Sequence, residues 1–181
     1  MTDHPRPAPP NPVKGVRIVQ LSEAALQALA AGDLAAANQA SSVVLTPSFV
    51  DPEWRGVWRL RSTQIAADPS SEAWITGVIW DIDRHLAVGR AGFHGPPDGA
   101  GMVEVGYAVD LAFRRQGYAR AALEVMLERA RRDPAVRVVR ASIRPDNIPS
   151  LRLVSRYGFV EVGEQWDDED GLETVFEVAV G

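Results

Sequence analysis

The segment Val109–Leu123 (VDLAFRRQGYARAAL) contains the residues best suited to chemistry. An apolar strand ends, the turn Arg114–Ala119 follows, and an amphipathic helix begins at once. The first N–H groups of a helix lack partners within it, and the helix dipole places about half a positive charge there. Arg114 and Arg115 add formal charge, and Gly117 allows a ligand to approach the backbone closely. The turn therefore predicts a binding site for a diphosphate group.

The residues of this turn also have to be compared with other known kinds of helix start. A basic helix start can simply be solvated, and the flanking strand and helix are what favour the binding site. A Walker A phosphate loop is excluded, because no Gly-Lys-Ser/Thr follows Gly117. A dinucleotide fingerprint fits poorly, because it needs a glycine-rich turn and only one glycine stands here.

A second block lies downstream, at Asn147–Leu153 (NIPSLRL) and Tyr157–Phe159 (YGF). With Arg114, Gly117 and Ala119, it resembles the GCN5-related N-acetyltransferase superfamily, whose main motif is Gln/Arg-x-x-Gly-x-Gly/Ala. The two blocks also have the separation found in that superfamily. The detailed resemblance covers roughly residues 102–166. The resemblance implies an enzyme that transfers an acetyl group from acetyl-CoA to an amine.

The strand Glu104–Tyr107 (EVGY) looks like the subgroup of ribosomal-protein N-terminal acetyltransferases. In the superfamily, acetyl-CoA lies between two parallel strands that separate at a β-bulge, which here would be Met102–Val109 and Val136–Ile143. The residues implied to contact it are Val109 and Leu111 through their backbone, the turn residues Arg114, Arg115, Gln116, Gly117, Tyr118 and Ala119, and Asn147 and Ser150 near the pantetheine arm or the sulfur.

The resemblance also implies direct attack of the amine on the thioester. The absence of cysteine independently excludes a cysteine acyl-enzyme. Glu104 is the candidate base, acting through water or with a pKa raised by burial, and a solvent-facing strand residue is the alternative. Many superfamily members have a tyrosine acid where this chain has Val154, and that role is not transferred to the nearby Tyr157. Ser150 is the candidate acid, with a plain hydroxyl at the helix start as the alternative.

Periodicity and turn residues outline the elements that must position these groups. Strands are predicted near Val16 and over Ala73–Trp80, Leu86–Phe93, Met102–Val109, Val136–Ile143, Phe159–Trp166 and Leu172–Val180. Helices are predicted over Glu23–Gln39 (with a break at Gly32), from Asp51-Pro52 to Asp68-Pro69, and over Ala119–Arg132 and Ile148–Tyr157. The expected fold is a three-layer α+β domain over residues 14–181, with a mixed, mostly antiparallel sheet between helices. Residues 1–13 are rich in proline and predict an extended tail.

Several further residues are candidates for a role in the site. Trp54 and Trp58 either line an acceptor pocket or belong to the core, and the core is favoured for one of them. The acidic turn Asp167–Asp170 could attract an ammonium group, although a solvated hairpin tip is favoured. His85 and His94 are expected to serve the sheet or its edge rather than catalysis.

Composition limits the classes of function. The 181 residues have a formal charge of -5, which disfavours non-specific nucleic-acid binding. Without cysteine and with three histidines, the chain predicts no metal site. The N-terminus lacks a signal-like apolar stretch, so a cytoplasmic location without membrane contact is expected. The expected partner is a small amine or a protein N-terminus, bound by a monomer or homodimer. Two alternatives stay open: a different acyl-CoA, or a CoA-binding regulatory module without turnover.

Overall fold

The described residues form a seven-stranded sheet at the centre of the fold. The computed structural model describes residues 14–168 and 171–180, so the proline-rich tail and part of the acidic turn lie outside the described residues. The strands follow the order β1-β2-β3-β4-β5-β7-β6. Every neighbouring pair is antiparallel except β4 and β5, which are parallel. The strands are β1 Val16–Val19, β2 Gly77–Asp81, β3 Leu86–Phe93, β4 Met102–Val109, β5 Val138–Ile143, β6 Val160–Asp167 and β7 Gly171–Ala179.

In the described part of the chain, five α-helices cover the sheet, and most begin and end where the sequence predicts. Ser22 caps the first helix through its hydroxyl, and Gly32 separates it from the second, as expected. They are α1 Glu23–Ala31, α2 Leu34–Ala40, α3 Pro52–Ala67, α4 Tyr118–Arg132 and α5 Ile148–Val154. The predicted last helix is shorter than expected, because its final turn, Ser155–Tyr157, is a 3-10 turn.

One predicted strand begins four residues late. Residues 73–76 precede β2, and Pro69–Trp74 form a 3-10 helix instead. The Asp68 carboxylate accepts a hydrogen bond from the Ser70 N–H at 3.0 Å, which starts this helix. Trp74 then packs beside Phe93, with 5.3 Å between the ring centroids. Trp74, whose aromatic side chain favoured a strand, therefore packs against the core from a 3-10 helix.

Two hydrophobic cores lie on opposite faces of the sheet. Successive residues of a strand point to opposite faces, so Val78 joins the core beneath α1 and α3 while Ile79 joins the core beneath α4. Leu123 and Leu127 on α4 are fully buried, and each such side chain stabilises the fold by about 1.5–3 kcal/mol. The predicted three-layer arrangement is confirmed.

Candidate active site

The parallel strands β4 and β5 separate partway along their length. They pair only from Met102–Val138 to Glu104–Arg140, although β4 continues to Val109 and β5 to Ile143. Beyond Glu104 the facing edges of the two strands therefore have backbone groups that a ligand can use. The expected β-bulge is absent from the described β3–β4 ladder, which keeps one register from Val105 to Val109. The strands diverge without a register shift on that side.

A cavity of about 810 Å³ adjoins this opening. It is formed by the end of β4, the predicted phosphate turn, the start of α4, and α5. The predicted cofactor residues that line it are Val109, Arg114, Arg115, Gly117, Tyr118, Ala119, Asn147 and Ser150. Two sequence-distant motifs therefore meet at one surface.

The start of α4 has the geometry of an anion site. Gly117 is the N-cap with φ 91°, a conformation that a side chain would strain, and it has no side chain to cap the helix. The first helical hydrogen bond runs from the Ala121 N–H to the Gly117 carbonyl at 3.0 Å. The N–H groups of Tyr118, Ala119 and Arg120 thus precede the helical ladder and lie at the positive end of the helix dipole.

Arginines dominate the charge around the cavity. Among the described residues that line it, Asp146 is the single carboxylate. Arg144 contacts that carboxylate at 2.7 Å, and Arg120 contacts Glu124 at 2.9 Å. Arg114 turns back to donate from Nε to the Val109 carbonyl at 3.1 Å. Although the chain has a net charge of -5, this surface is locally positive and is suited to a polyanion. The arginines that line the cavity are Arg114, Arg115, Arg120, Arg144, Arg152 and Arg156.

Two predicted cofactor residues lie outside the cavity lining. Leu111 begins a 3-10 turn after β4, and 76% of its surface is exposed. Its backbone is not extended there, so strand-like pairing with a ligand can reach no further than the end of β4. Gln116 uses its side chain within the turn, where Nε2 donates to the Ala112 carbonyl at 3.2 Å.

The side chain of Tyr118 faces the core rather than a ligand. It is 1% exposed, and its hydroxyl donates to Asp81 Oδ2 at 2.5 Å. Burial raises the pKa of Tyr118, and its bond to Asp81 adds to this shift. Burial alone would raise the pKa of Asp81, but the Tyr118 bond and two backbone N–H donors outweigh it and lower that pKa. Tyr118 therefore offers a ligand only its backbone N–H and fastens α4 to β2.

Asn147 and Ser150 lie at the other side of the cavity. Asn147 caps α5, because its Oδ1 accepts from the Ser150 N–H at 3.3 Å. Ser150 lies beside Tyr107, whose hydroxyl is buried and has no hydrogen-bond partner of good geometry among the described residues. Burial raises the pKa of Tyr107, and the nearby Ser150 partly offsets the shift. This hydroxyl pair was not predicted from the sequence, because Tyr107 lies within a strand motif.

Tyr157 has a structural role. Its hydroxyl donates to Glu124, and Arg120 Nε donates to it at 3.1 Å. These contacts join the end of the α5 segment to α4, and Tyr157 does not line the cavity. Val154, at the position of the superfamily's tyrosine, is fully buried in the core.

Glu104 lies on the face of β4 opposite to Val103 and Val105, and 18% of its side chain is exposed. His94 follows β3 and faces it, with 3.8 Å between His94 Nδ1 and Glu104 Oε1. The sequence pattern predicts that His94 serves the sheet or its edge rather than catalysis. Burial lowers the pKa of His94, Arg61 and Arg90 act in the same direction, and Glu104 and Asp167 oppose them.

The other residues considered for the acceptor site lie in the core, near Glu104 and His94, or away from the site. Trp54 and Trp58 both lie in the core under α3, with the Trp58 indole donating to Phe49 O at 2.8 Å. Asp167, the first residue of the predicted acidic turn, is near enough to affect the His94 charge, while Asp168 is exposed. His85 lies away from the site at the β2–β3 turn, with its ring centroid 6.4 Å from that of Trp80.

Within residues 14–168 and 171–180, no cluster of three or more His, Asp or Glu side chains is arranged to hold a metal ion. No helix in these ranges is long and apolar enough to cross a membrane.

The chain is similar in sequence to known acetyltransferases. The family model described as an acetyltransferase (GNAT) domain matches residues 17–160. The uncharacterized N-acetyltransferase YjdG of Bacillus subtilis is 33% identical over 89 residues, a match that spans about half of each protein, 49% of this chain and 51% of YjdG.

Solved structures share the fold at lower identity. RimL, a ribosomal L7/L12 alpha-N-protein acetyltransferase in complex with coenzyme A, superposes with a TM-score of 0.65 at 17% identity, over 93% of this chain and 97% of RimL. A mutant of the spermidine N-acetyltransferase SpeG from Vibrio cholerae gives a TM-score of 0.62 at 13% identity, over 91% and 94% of the two chains.

Proposed function

Because the chain belongs to the acetyltransferase (GNAT) family, we propose that it transfers the acetyl group of acetyl-CoA to a primary amine, on a protein N-terminus or a small molecule. The observation that carries this proposal is the separation of β4 from β5 beyond Glu104, which opens beside an arginine-lined cavity at the start of α4. A long polyanionic cosubstrate with an extended arm fits such a combination.

The diphosphate of acetyl-CoA is assigned to the N–H groups of residues 116–119, with Arg114 and Arg115 beside them. Gly117 suits this role, because a β-carbon there would meet only the Lys14 side chain, at 4.0 Å, and the turn is therefore open to a ligand. The pantetheine arm is assigned to the edge of β4 that ends at Val109. Asn147 and Ser150 would contact its sulfur end.

The acceptor amine is assigned to the face that holds Glu104. An α-amino group has a pKa near 8, so its neutral form costs only about 1.4 kcal/mol at pH 7, against about 4.6 kcal/mol for a lysine amine. Glu104 is proposed to promote the loss of the amine's proton, and a backbone N–H near Val109 to stabilise the oxyanion. Ser150, beside the buried Tyr107 hydroxyl, is proposed to return a proton to the leaving thiolate.

The nature of the acceptor is the finer part of the proposal. The RimL and SpeG structures belong to enzymes that act on a protein N-terminus and on spermidine, which favours an amine substrate in either class. A low-pKa α-amine is the better fit to a site whose candidate base, Glu104, is a partly exposed carboxylate. The buried Val154, in place of the superfamily's tyrosine, is the observation that supports a CoA-binding module without turnover as the second candidate.

Release of free thiol from acetyl-CoA, measured with a panel of peptides and polyamines, tests the proposal. We expect amine-dependent release that is faster with peptide N-termini than with lysine side chains. Thermal stabilisation by acetyl-CoA without thiol release from any amine would support the binding module instead. Release from a longer acyl-CoA alone would identify a different acyl donor.

A further inference from the structure

We propose that His94 accepts the proton that the acceptor nitrogen loses as it bonds to the acetyl carbon, and that Glu104 positions the imidazole for this step. The inference rests on the proposed acetyl transfer and names a residue that this function alone does not assign.

The backbone holds His94 directly opposite Glu104. The His94 N–H donates to the Glu104 carbonyl at 2.8 Å, which extends the β3–β4 ladder by one pair. The His94 carbonyl accepts hydrogen bonds from Arg61 Nη1 at 3.1 Å and from Gln64 Nε2 at 2.7 Å, both on α3. The residue is thus fixed by β4 on one side and by α3 on the other.

The two ring nitrogens of His94 have different surroundings. Nδ1 is the nitrogen recorded near Glu104, at 3.8 Å from Oε1. This distance is longer than a hydrogen bond, and such catalytic contacts often shorten only when substrate binds. Nε2 is the ring atom nearest to Gly106, since a β-carbon built on Gly106 would lie 2.8 Å from it. Glu104 thus faces one nitrogen, and the other lies further along β4.

The position of Nε2 connects the acceptor face to the opening in the sheet. Gly106 lies two residues beyond Glu104, the last residue of β4 that pairs with β5. Nε2 therefore lies over the part of β4 where the strands have separated, on the strand whose edge is assigned to the pantetheine arm. A side chain at Gly106 would therefore displace the imidazole from this position.

The charges around His94 keep the imidazole available as a proton acceptor. Burial lowers its pKa, and Arg61 from α3 and Arg90 from β3 lower it further, while Glu104 from β4 and Asp167 from β6 raise it. The net shift is downward, so the ring is mostly neutral at pH 7. Although protein surrounds the ring on most sides, 48% of the side-chain surface is accessible, and an acceptor can reach it.

Two protons leave the acceptor nitrogen during the proposed step. The ammonium group first releases one proton to solvent, and the neutral amine nitrogen bonds to the thioester carbon. A second proton passes from that nitrogen to Nε2 as the C–S bond breaks and its electron pair goes to sulfur. The thiolate takes a proton from Ser150 or solvent, and the imidazolium, with its Nδ1–H facing Glu104, later returns its proton to solvent.

The test compares His94→Asn with His85→Asn, a matched change at a histidine outside the site. The readouts are the affinity for coenzyme A and the pH dependence of kcat/KM for a peptide amine. We expect His94→Asn to lose roughly 100-fold or more in kcat at pH 7, with coenzyme A affinity unchanged. In the wild-type protein, kcat/KM should fall more steeply with decreasing pH once the pH is below the pKa of His94. This steepening should be absent from His94→Asn. His85→Asn should behave as wild type.

A wild-type profile and turnover in His94→Asn would overturn the role of His94 while leaving acetyl transfer intact. Failure of the wild-type protein to release thiol with any amine would instead overturn the proposed function. Reduced turnover in His94→Asn with the steepening retained would also contradict the proposal, because it would indicate a role in shape rather than in proton transfer.

Discussion

The Tyr118 hydroxyl donates a 2.5 Å hydrogen bond to Asp81 Oδ2, and this bond joins the first residue of α4 to the last residue of β2. The two residues are 37 positions apart in the chain. The bond holds the start of α4, and with it the assigned diphosphate site, against the sheet.

Replacing Tyr118 with Phe removes this bond and leaves the buried carboxylate with fewer donors. We expect a loss of roughly 1.5–3 kcal/mol in the free energy of unfolding at pH 7. Because the pKa of Asp81 is lower in the folded state, the ionised carboxylate stabilises the fold above the pKa that Asp81 has in the unfolded chain. This stabilisation is lost as pH falls through the folded-state pKa. The difference between wild type and variant, measured by urea unfolding, should therefore shrink below about pH 4. A difference that is constant from pH 7 to pH 3 would contradict this account.

Replacing Gly117 with Glu should abolish coenzyme A binding. The substitution strains a backbone at φ 91° and places a negative charge where the diphosphate is assigned. Gly99→Glu is the matched control, because a β-carbon at Gly99 meets no atom within 4 Å. Calorimetric titration should show binding for the control and none for Gly117→Glu. Equal affinity in both would remove the turn from the cofactor site.

Replacing Gly106 with Ala should displace the His94 ring without unfolding the protein. The new β-carbon would lie 2.8 Å from Nε2, an atom at the end of a side chain that can move. We expect kcat to fall roughly 10-fold to 100-fold, because small displacements of a reacting group have effects of this size. Gly163→Ala, where a β-carbon meets nothing within 4 Å, is the control and should keep full activity. Full activity in Gly106→Ala with an unchanged thermal midpoint would argue against the position assigned to His94.

Replacing Glu104 with Gln should lower turnover and leave coenzyme A affinity unchanged. Glu104 raises the pKa of His94, so its removal should move the steepening of the kcat/KM profile to lower pH. Glu161→Gln, an exposed position on β6, controls for the change of charge. If the kcat/KM profile of Glu104→Gln lost the steepening and that of His94→Asn kept it, Glu104 itself would be the proton acceptor. An unchanged profile would remove Glu104 from the mechanism.

Features that depend on neighbouring residues were predictable from the sequence. Gly117 followed by an amphipathic stripe predicted the start of α4, and Ser22 and Gly32 predicted how the first helices begin and end. The end of the last helix was less predictable, because a 3-10 turn leads from Val154 to Gly158.

Features that depend on strand register were not predictable in the same way. His94 and Glu104 face each other across a loop too long for its turn type to set the register, so their pairing follows from the fold as a whole. The bond between Tyr118 and Asp81 likewise depends on how α4 packs against the sheet. The pair of Tyr107 and Ser150 joins β4 to α5, and neither residue type alone indicates it.

The central claim is that the backbone at the start of α4 holds the diphosphate of the cosubstrate. A crystal structure with bound coenzyme A tests it most directly. We expect diphosphate oxygens within about 3.2 Å of backbone nitrogens between residues 116 and 119, and the pantetheine arm between β4 and β5. Coenzyme A bound elsewhere, with these N–H groups contacting only solvent, would contradict the account.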